Sequence, residues 1–336
     1  MIRTCNNCGF ILGHKPGLLE KNGVCQACIN SQKKILIDFE ERQNWLTEYI
    51  KKHKTHRKYD CVIGVSGGKD SHMIVSKLME NHGIVNPLLV SVNDEFTMTE
   101  AGRHNRRNIS TFFKCDHIEF RCNPDEFIKK TRKDFEETLH PLKWLEEKIY
   151  LLPFEIAKAY GIRLVFMGED AAFEYGMSED MHVYDKLTDK ETEVIYMGAI
   201  YPYSTQNSLK IARKAGFIDL DDSFEWQRSG SCDSYSQIDS IGYIVHIWCK
   251  FPKFGFQRVS DMACRFVREG KMSREQVITL INDRDYMLDR LAKLDFCRTI
   301  NITEQYFDSV VDKHAQLNIV RRDCNGIYRR IDFFAP

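Results

Sequence analysis

The sequence predicts an α/β protein whose core is a doubly wound, mostly parallel sheet, with a cysteine-rich module before it and a helical region after it. Three observations support this fold class. Between residues 60 and 167, apolar strand-like runs alternate with amphipathic helical stretches, which is typical of a parallel sheet with helices on both faces. The first 30 residues contain two Cys-x2-Cys pairs. After residue 256, apolar residues recur at helical spacing.

The individual elements follow from these periodicities. A helix over residues 32–58 links the cysteine-rich module to the sheet, and the stretch from about 170 to 250 is irregular. Ser273 with Gln276 resembles a capping box, which marks a helix start. Strands are predicted at 60–65, 88–93, 117–121 and 163–167, and further helices at 71–82, 99–113, 124–139, 142–160, 258–269, 273–291 and 304–314.

The composition narrows the class of protein. Lys plus Arg and Asp plus Glu number 48 each, so a formal charge of zero gives no general reason to expect nucleic-acid binding. No apolar run reaches membrane-spanning length, and the N-terminus MIRTCNNCGF lacks the apolar core of a signal peptide. We expect a cytoplasmic protein without a membrane partner. Its twelve cysteines are then metal ligands or free thiols rather than disulfides.

The N-terminal cysteines have the spacing of a zinc site. Cys5 and Cys8 form one pair, Cys25 and Cys28 form the other, and 16 residues separate the pairs. Two such pairs can turn four thiolates toward one point, which suits tetrahedral zinc, whereas the alternative is four unconnected thiols. Because four thiolates leave no open coordination position, we predict a structural Zn²⁺ in a zinc ribbon over residues 1–30.

A glycine turn follows the first predicted strand of the sheet. In VIGVSGGKDSHMIV, residues 62–75, Gly67 and Gly68 allow a tight turn that an anion can approach. Ser66 and Ser71 offer hydroxyls in the same turn, and a lysine and an aspartate, Lys69 and Asp70, lie between Gly68 and Ser71. The spacing matches neither the Walker loop nor Gly-x-Gly-x-x-Gly. The alternative is an ordinary strand–turn–helix connection with solvated serines.

Polar residues also end two later strands of the predicted sheet. Asn93 and Asp94 follow the second strand, and Gly168, Glu169 and Asp170 follow the fourth. Carboxyl ends of parallel strands meet at one edge, where open α/β sheets bind ligands. We expect these residues to contact a nucleotide there. The alternative for the acidic pair is that it only caps the next helix.

The segment Ser66–Ser71 resembles the SGGxDS motif of the PP-loop ATP pyrophosphatases, which share a HUP-like fold. The resemblance implies a PP-loop domain, here at 59–255, that binds ATP and Mg²⁺ and releases pyrophosphate while AMP goes to the substrate. Lys69 and Asp70 are then the implied catalytic residues, with Asp70 holding Mg²⁺ or capping the helix. The other implied ATP contacts are Ser66, Gly67, Gly68, Ser71, Asn93, Asp94, Gly168, Glu169 and Asp170.

The C-terminal half is more specific. Residues 237–276, together with 168–176, 201–219 and the four-cysteine module, resemble the N-acetyl sugar amidotransferase family, which is WbpG/PseA-like. The resemblance implies a synthetase that adenylates the acetamido oxygen of a nucleotide sugar, after which ammonia displaces AMP. The product is an acetamidino sugar for bacterial surface glycans such as O-antigen lipopolysaccharide or glycosylated flagellin. Residues 31–58 are then a helical linker, and 256–336 a helical C-terminal region.

Basic residues of this half are candidates for substrate binding. Lys250, Lys253, Arg258 and Arg265 can hold a nucleotide-sugar diphosphate or a carboxylate, and we add Tyr175 from the GEDAAFEYG segment. The alternative is that the cations are solvated or pair with Asp261 and Glu269. His246 lies in an apolar run, which favours a satisfied core histidine over a catalytic base.

Two other functions are compatible with parts of the sequence. A PP-loop tRNA thiolation enzyme would carry the same loop, and the basic run over 51–58 would contact RNA phosphates. Cations at a helix C-terminus are usually solvated, however, and no pair of catalytic cysteines is recognisable, so we expect no nucleic-acid partner. The third reading, a zinc-ribbon scaffold without catalysis, does not explain the intact SGGKDS.

The resemblance to a synthetase leaves the source of ammonia open. A glutaminase site commonly needs a cysteine with a histidine held by a carboxylate. No cysteine lies on a recognisable strand–elbow–helix outside the glycine turn of residues 66–71. We therefore predict a separate glutaminase subunit as the partner that supplies ammonia.

Overall fold

The computed structural model describes residues 2–54 and 58–334. In the described part of the chain, a five-stranded sheet has the order β5-β4-β3-β6-β7, and all neighbouring strands are parallel. The chain order reverses between β3 and β6, which is the place where open α/β sheets bind ligands. The strands of this sheet are β3 (Cys61–Gly64), β4 (Pro87–Asn93), β5 (Asp116–Arg121), β6 (Leu164–Met167) and β7 (Glu193–Tyr196). Two short hairpins are formed by β1 (Glu20–Lys21) with β2 (Val24–Cys25) and by β8 (Val320–Arg322) with β9 (Tyr328–Arg330).

Helices cover both faces of the sheet, which confirms the predicted doubly wound α/β fold. Ile63 packs on one face with residues of α2, α3 and α4, and Val62 packs on the other with residues of α6. None of the described helices is both long and apolar enough to cross a membrane. The first eight helices are α1 (Gln26–Lys34), α2 (Phe39–His53), α3 (Lys69–Asn81), α4 (Glu100–Phe113), α5 (Pro124–Thr138), α6 (Lys143–Tyr160), α7 (Ala171–Glu174) and α8 (Thr205–Lys214). The others are α9 (Leu220–Ser223), α10 (Tyr243–Trp248), α11 (Lys250–Phe254), α12 (Arg258–Arg268), α13 (Arg274–Arg284), α14 (Arg290–Thr299) and α15 (Glu304–His314), and 3-10 turns lie at Met197–Ala199 and Ile331–Phe334.

The four predicted strands are all present, but the sequence did not reveal β7. Its four residues lie in the stretch from 170 to 250, which we predict to be irregular. They directly follow the polar run TDKET. Glu193 pairs with Leu164 and Tyr196 with Met167, so β6 supplies the partner that makes this short segment a strand. A run of four residues carries too little periodicity to be recognised alone.

Two predicted long helices are each interrupted. The helix predicted at 32–58 is wrong, because α1 ends at Lys34 and Asp38 caps a new helix, α2, by accepting from the Glu41 amide. Ile35 and Leu36 fit the apolar spacing of one long helix, but they lie between α1 and α2, where they are 83% and 86% exposed. Likewise the helix predicted at 273–291 ends with α13, although its predicted capping box is present.

The C-terminal helices share a hydrophobic core with the sheet domain. Phe135 of α5 stacks on Phe307 of α15, with ring centroids 5.1 Å apart, and meets Phe296 of α14 at 5.3 Å. Phe296 also stacks on Phe96, which lies just after β4, at 5.7 Å. Contacts of this kind cross residue 255, so the predicted boundary between 59–255 and 256–336 stays a prediction about folding units.

We predict that Phe296→Ala destabilises the whole protein by about 3–5 kcal/mol, because it opens a cavity at the centre of this aromatic cluster. Phe296 is fully buried. The matched control is Phe224→Ala, since Phe224 is 89% exposed. The control should change the free energy of unfolding by less than about 0.5 kcal/mol. Urea unfolding followed by fluorescence and by circular dichroism measures both. Equal stability of the two variants would contradict the shared core.

Candidate functional site

The glycine turn between β3 and α3 forms an ordered cradle. The Ser66 amide donates to Ser71 Oγ at 2.9 Å, and the Gly68 amide donates to Ser66 Oγ at 3.2 Å. Gly67 has a φ of +87°, and a Cβ there would lie 3.2 Å from the Arg106 backbone. Only glycine suits this position without strain. The turn precedes the N-terminus of α3, where backbone amides and the helix dipole attract phosphate.

Lys69 and Asp70 lie together at the start of α3. Lys69 is buried, and its Nζ lies 2.6 Å from Asp70 Oδ2 and 3.0 Å from the Tyr203 hydroxyl. Burial by itself would lower the pKa of Lys69, but Asp70 and Tyr203 outweigh it and hold that pKa above its usual value. Asp70 Oδ1 is buried and has no hydrogen-bond partner among the described residues. An unsatisfied carboxylate oxygen beside a phosphate cradle fits the oxygen ligand that Mg²⁺ prefers.

The residues after β4 lie beside this loop but are partly committed to other contacts. Asn93 Oδ1 accepts from the Arg106 guanidinium, and Arg106 packs on Gly67, so Asn93 is linked to the loop. Asp94 accepts from Ser240 Oγ at 2.7 Å. Burial raises the pKa of Asp94 to about 6. Asp94 therefore ties the edge of the sheet to the segment before α10.

The residues after β6 divide between the two expected roles. Asp170 caps α7, with Oδ1 accepting from the Phe173 amide at 3.3 Å and Oδ2 from the His182 amide at 2.9 Å. This favours the capping alternative for Asp170. Glu169 instead lies 3.5 Å from the Arg265 guanidinium. Gly168 stays open above α3, since a Cβ there would meet only Ile74, at 4.0 Å.

A buried arginine, Arg265, lies between Tyr175 and Tyr203, and Tyr203 contacts Lys69 after the glycine turn. Arg265 on α12 lies over the rings of Tyr203 and Tyr175, 4.4 and 5.3 Å from their centroids, and is 3% exposed. Its Nε and Nη2 have no hydrogen-bond partner among the described residues. The sequence identified Arg265 as basic but missed Tyr203. The only signal for Tyr203 was its place in the 201–219 segment that resembles the amidotransferase family.

Four of the five predicted substrate residues, all except Arg265, line one cavity of about 470 Å³. Tyr175 accepts from Arg258 Nη1 at 3.1 Å. Lys250 pairs with Asp261 at 2.6 Å, as the alternative reading expected, and Lys253 donates to the Thr138 carbonyl at 3.0 Å. The cavity thus brings Tyr175 to Arg258, 83 positions later in the sequence. Such a largely apolar space with a few polar groups is typical of a small-molecule site.

His246 is buried, as the prediction of a core histidine expected, but its ring nitrogens are only partly satisfied. His246 lines the cavity, where its Nε2 lies 2.9 Å from Glu146 Oε1, while its Nδ1 has no hydrogen-bond partner among the described residues. His140 approaches the other oxygen of Glu146 at 3.0 Å and stacks on His246. Contact with both histidines overcomes the effect of burial and holds the pKa of Glu146 well below its usual range. Glu146 belongs to α6 and lies 100 positions before His246, so no sequence pattern indicated the cluster of His140, Glu146 and His246.

The four N-terminal cysteines converge as predicted. Cys5 Sγ lies 3.9 Å from Cys28 Sγ, and Cys8 Sγ lies 3.7 Å from Cys25 Sγ, with all four side chains buried. Zinc–sulfur bonds of about 2.3 Å in a tetrahedron place the sulfurs about 3.8 Å apart. The set therefore fits a four-coordinate metal. The other described cysteines are free thiols, and Cys61 and Cys249 are buried as expected.

The cysteine module packs against the C-terminal helices. Ala263 and Cys264 of α12 and Val277 and Ile281 of α13 form one apolar cluster with the four cysteines. The Arg274 guanidinium donates to the Cys5 carbonyl at 3.1 Å. On its other side, the module supplies a wall of the cavity through residues such as Phe10, Leu12, Lys15 and Leu19.

The basic run over 51–58 is largely neutralised where it is described. Lys51 pairs with Glu48 at 2.6 Å, Lys54 with Asp60 at 3.3 Å and Lys58 with Asp116 at 2.8 Å. Residues 55–57 lie outside the described part of the chain. Lysines with carboxylate partners match the solvated alternative better than an RNA-binding patch.

One comparison agrees with the C-terminal resemblance. Residues 229–328 match a family described as "LPS biosynthesis protein WbpG-like, C-terminal domain". An uncharacterized protein of Methanocaldococcus jannaschii is 21% identical over 258 residues, which are 76% of this chain and 84% of that relative. NMN synthetase from Francisella tularensis has a TM-score of 0.39 and 12% identity, over 79% of this chain and 94% of its own. The U34-tRNA thiolase NcsA from Methanococcus maripaludis, solved with its 4Fe–4S cluster, has a TM-score of 0.37 and 13% identity, over 83% and 89%.

We predict that the purified protein contains about one Zn²⁺ per chain and that the double variant Cys5→Ser, Cys25→Ser loses it, because hydroxyls cannot replace thiolate ligands. Elemental analysis measures the metal. The control is Cys324→Ser, since Cys324 is an exposed free thiol. Full metal retention in the double variant would rule out a metal at this site, and iron in place of zinc would overturn the choice of metal.

Proposed function

We propose that the protein is an ATP-dependent, AMP-forming amidotransferase that converts the acetamido group of a nucleotide sugar into an acetamidino group. The observation that carries this proposal is the continuous path from the phosphate loop to the cavity. Lys69 contacts Tyr203, Arg265 lies between Tyr203 and Tyr175, and Tyr175 accepts from Arg258 at the cavity. A nucleotide on the loop and a substrate in the cavity would therefore meet at Arg265 and Tyr175.

In the first step the chain positions ATP and neutralises its charge. The turn amides and the N-terminus of α3 hold the β- and γ-phosphates, and Lys69 balances their charge. Asp70 offers its free oxygen to Mg²⁺, which stabilises the departing pyrophosphate when bound. The acetamido oxygen attacks the α-phosphorus as the bond to the pyrophosphate oxygen breaks. Arg265 directs its unpartnered N–H groups toward the charge that develops on that phosphate.

In the second step ammonia attacks the carbon that carries the AMP ester. The new carbon–nitrogen bond forms, the carbon–oxygen bond to AMP breaks, and the product amidine keeps a proton as an amidinium. An amide oxygen is a poor leaving group, and adenylation makes it a good one. Ammonia is supplied in this proposal by a separate glutaminase subunit docked at the carboxyl edge of the sheet, because water would protonate free ammonia.

The alternative function is tRNA thiolation by a PP-loop enzyme. Within residues 2–54 and 58–334, the one cluster of three or more cysteines is the N-terminal set, which packs against α12 and α13. A sugar site explains the cavity and its four predicted substrate residues, whereas thiolation leaves them without a role. The destination in bacterial surface glycans such as lipopolysaccharide is part of the sugar proposal, and it is supported by the WbpG-like segment.

We predict that ATP–pyrophosphate exchange is stimulated by a UDP-linked N-acetyl sugar and not by tRNA. Lys69→Met and Asp70→Ala should each lower exchange by about 100-fold or more, since these groups stabilise charge in the transition state. The control Lys210→Met removes an exposed lysine on the neighbouring helix α8 and should leave the rate unchanged. Stimulation by tRNA alone would favour thiolation, and formation of ADP and phosphate would contradict both functions.

We also predict that the purified chain uses ammonium salts but not glutamine. Activity with ammonium should rise with pH, because only unprotonated ammonia has the lone pair that attacks the adenylated carbon. Acetamidino product is measured by mass spectrometry with ¹⁵N-labelled ammonium or amide-labelled glutamine. The label should enter only from ammonium. Turnover with glutamine by the single chain would refute the separate glutaminase while leaving adenylation intact.

A further inference from the structure

Two ammonium groups at one end of the cavity have no ion-pair partner among the described residues. They belong to Lys15 of the cysteine module and Lys253 of α11. The Lys15 side chain also makes no hydrogen bond, whereas Lys253 donates to the Thr138 carbonyl and lies over the Phe254 ring. Burial and the nearby Lys250 lower the pKa of Lys15, and burial and Lys15 lower the pKa of Lys253. Each ammonium therefore feels the other cations at this end of the cavity.

Three carboxylates line the cavity, and each already has a cationic or histidine partner; Glu20 pairs with Arg3 at 2.7 Å. Asp261 pairs with Lys250 at 2.6 Å, and Glu146 lies within 3.0 Å of both His140 and His246. A partly buried ammonium without a counter-ion is unfavourable, so the resting protein holds Lys15 and Lys253 at a cost. An anionic ligand would remove that cost, which makes this end of the cavity a ready site for oxyanions.

We propose that Lys15 and Lys253 form an oxyanion subsite for the phosphoryl groups of the sugar substrate. The four-cysteine module is then part of the substrate site in addition to its structural role. The inference rests on the proposed function for the identity of the substrate, but not for the anion itself. A diphosphate suits two ammonium groups that line one cavity, because it spreads two or more charges over several oxygens, which a single carboxylate does not.

This subsite also orients the substrate. The same cavity is lined by Tyr175 and Arg258, which lead through Arg265 to the phosphate loop. A sugar nucleotide held by its phosphates at Lys15 and Lys253 presents its sugar ring toward Tyr175. The acetamido oxygen then faces the place where the α-phosphate of ATP is expected, so binding energy at the module positions the reacting group.

The position of Lys15 depends on the fold of the cysteine module, and in this proposal the metal holds that fold together. Lys15 lies in the loop between the two cysteine pairs, before β1. The four thiolates hold that loop against α12 and α13. Metal loss should therefore weaken sugar-nucleotide binding. It should affect ATP binding less, because the glycine turn follows β3 and is not part of the module.

The test compares Lys15→Met and Lys253→Met with Lys21→Met, an exposed lysine on the same module. Isothermal titration measures the affinities for UDP-N-acetylglucosamine, UDP and glucuronate in the presence of saturating non-hydrolysable ATP analogue. Lys15→Met and Lys253→Met should each weaken UDP and the UDP-sugar about tenfold or more. Lys21→Met should stay within about twofold of wild type, Lys15→Arg should retain most of the affinity, and all variants should bind the ATP analogue and zinc normally.

Unchanged UDP-sugar binding in both Lys15→Met and Lys253→Met would overturn the subsite. Loss of glucuronate binding with unchanged UDP binding would also overturn it, because the subsite would then hold a carboxylate. Failure of wild type to bind UDP or the UDP-sugar would do the same. If the variants lose UDP affinity but wild type forms no AMP with any acetamido sugar, the subsite stands and the amidotransferase proposal fails.

Discussion

The guanidinium of Arg265 is buried against the rings of Tyr203 and Tyr175, and within the described chain its one ion pair is with Glu169 at 3.5 Å. Removing a guanidinium from water is costly unless charge and hydrogen bonds compensate it, and here Nε and Nη2 have no partner in the described chain. The side chain is held because α12 is fixed by packing on both sides. The packing of α12 therefore compensates the cost of this burial. The result is a positive charge fixed at the point where the glycine turn and the cavity meet.

The position of α12 depends in turn on the cysteine module. Ala263 and Cys264 of this helix pack on the four cysteines, and Cys264 Sγ donates to the Cys8 carbonyl at 3.3 Å. About thirty residues bury too little apolar surface to fold alone, so a metal is the expected source of the module's rigidity. A rigid module therefore has two effects. It supports the helix that carries Arg265, and it closes the cavity on the side of Lys15.

The topology of the sheet explains why the glycine turn after β3 and the cavity are neighbours. The turn after β3 and the turn after β6 come from adjacent strands on either side of the reversal in strand order. Loops at such a point splay to opposite faces and leave a crevice. The C-terminal helices pack against this edge through the aromatic cluster around Phe296, which stacks on Phe96 just after β4.

Local signals in the sequence predicted the strands β3 to β6, the glycine turn from Ser66 to Ser71 and the grouping of the four cysteines, because each is marked by residues that are close in the chain. Gly67 has a positive φ that favours glycine, and each Cys-x2-Cys pair can turn two thiols toward one point. The same local signals could not decide that 35–38 breaks a helix. The apolar residues Ile35 and Leu36 fit the helical period but find nothing to pack against.

Only the tertiary structure decided which distant residues share a site. Tyr203, Arg265 and Tyr175 come from three separate elements, and His246 meets Glu146 across 100 positions of sequence. No periodicity encodes such contacts, because they arise from how helices pack around the sheet. The sequence by itself therefore determined the glycine turn and the grouping of the four cysteines, whose geometry depends largely on neighbouring residues. The cavity and its unbalanced lysines exist only because packing brings the cysteine module, α6, α11 and α12 to one place.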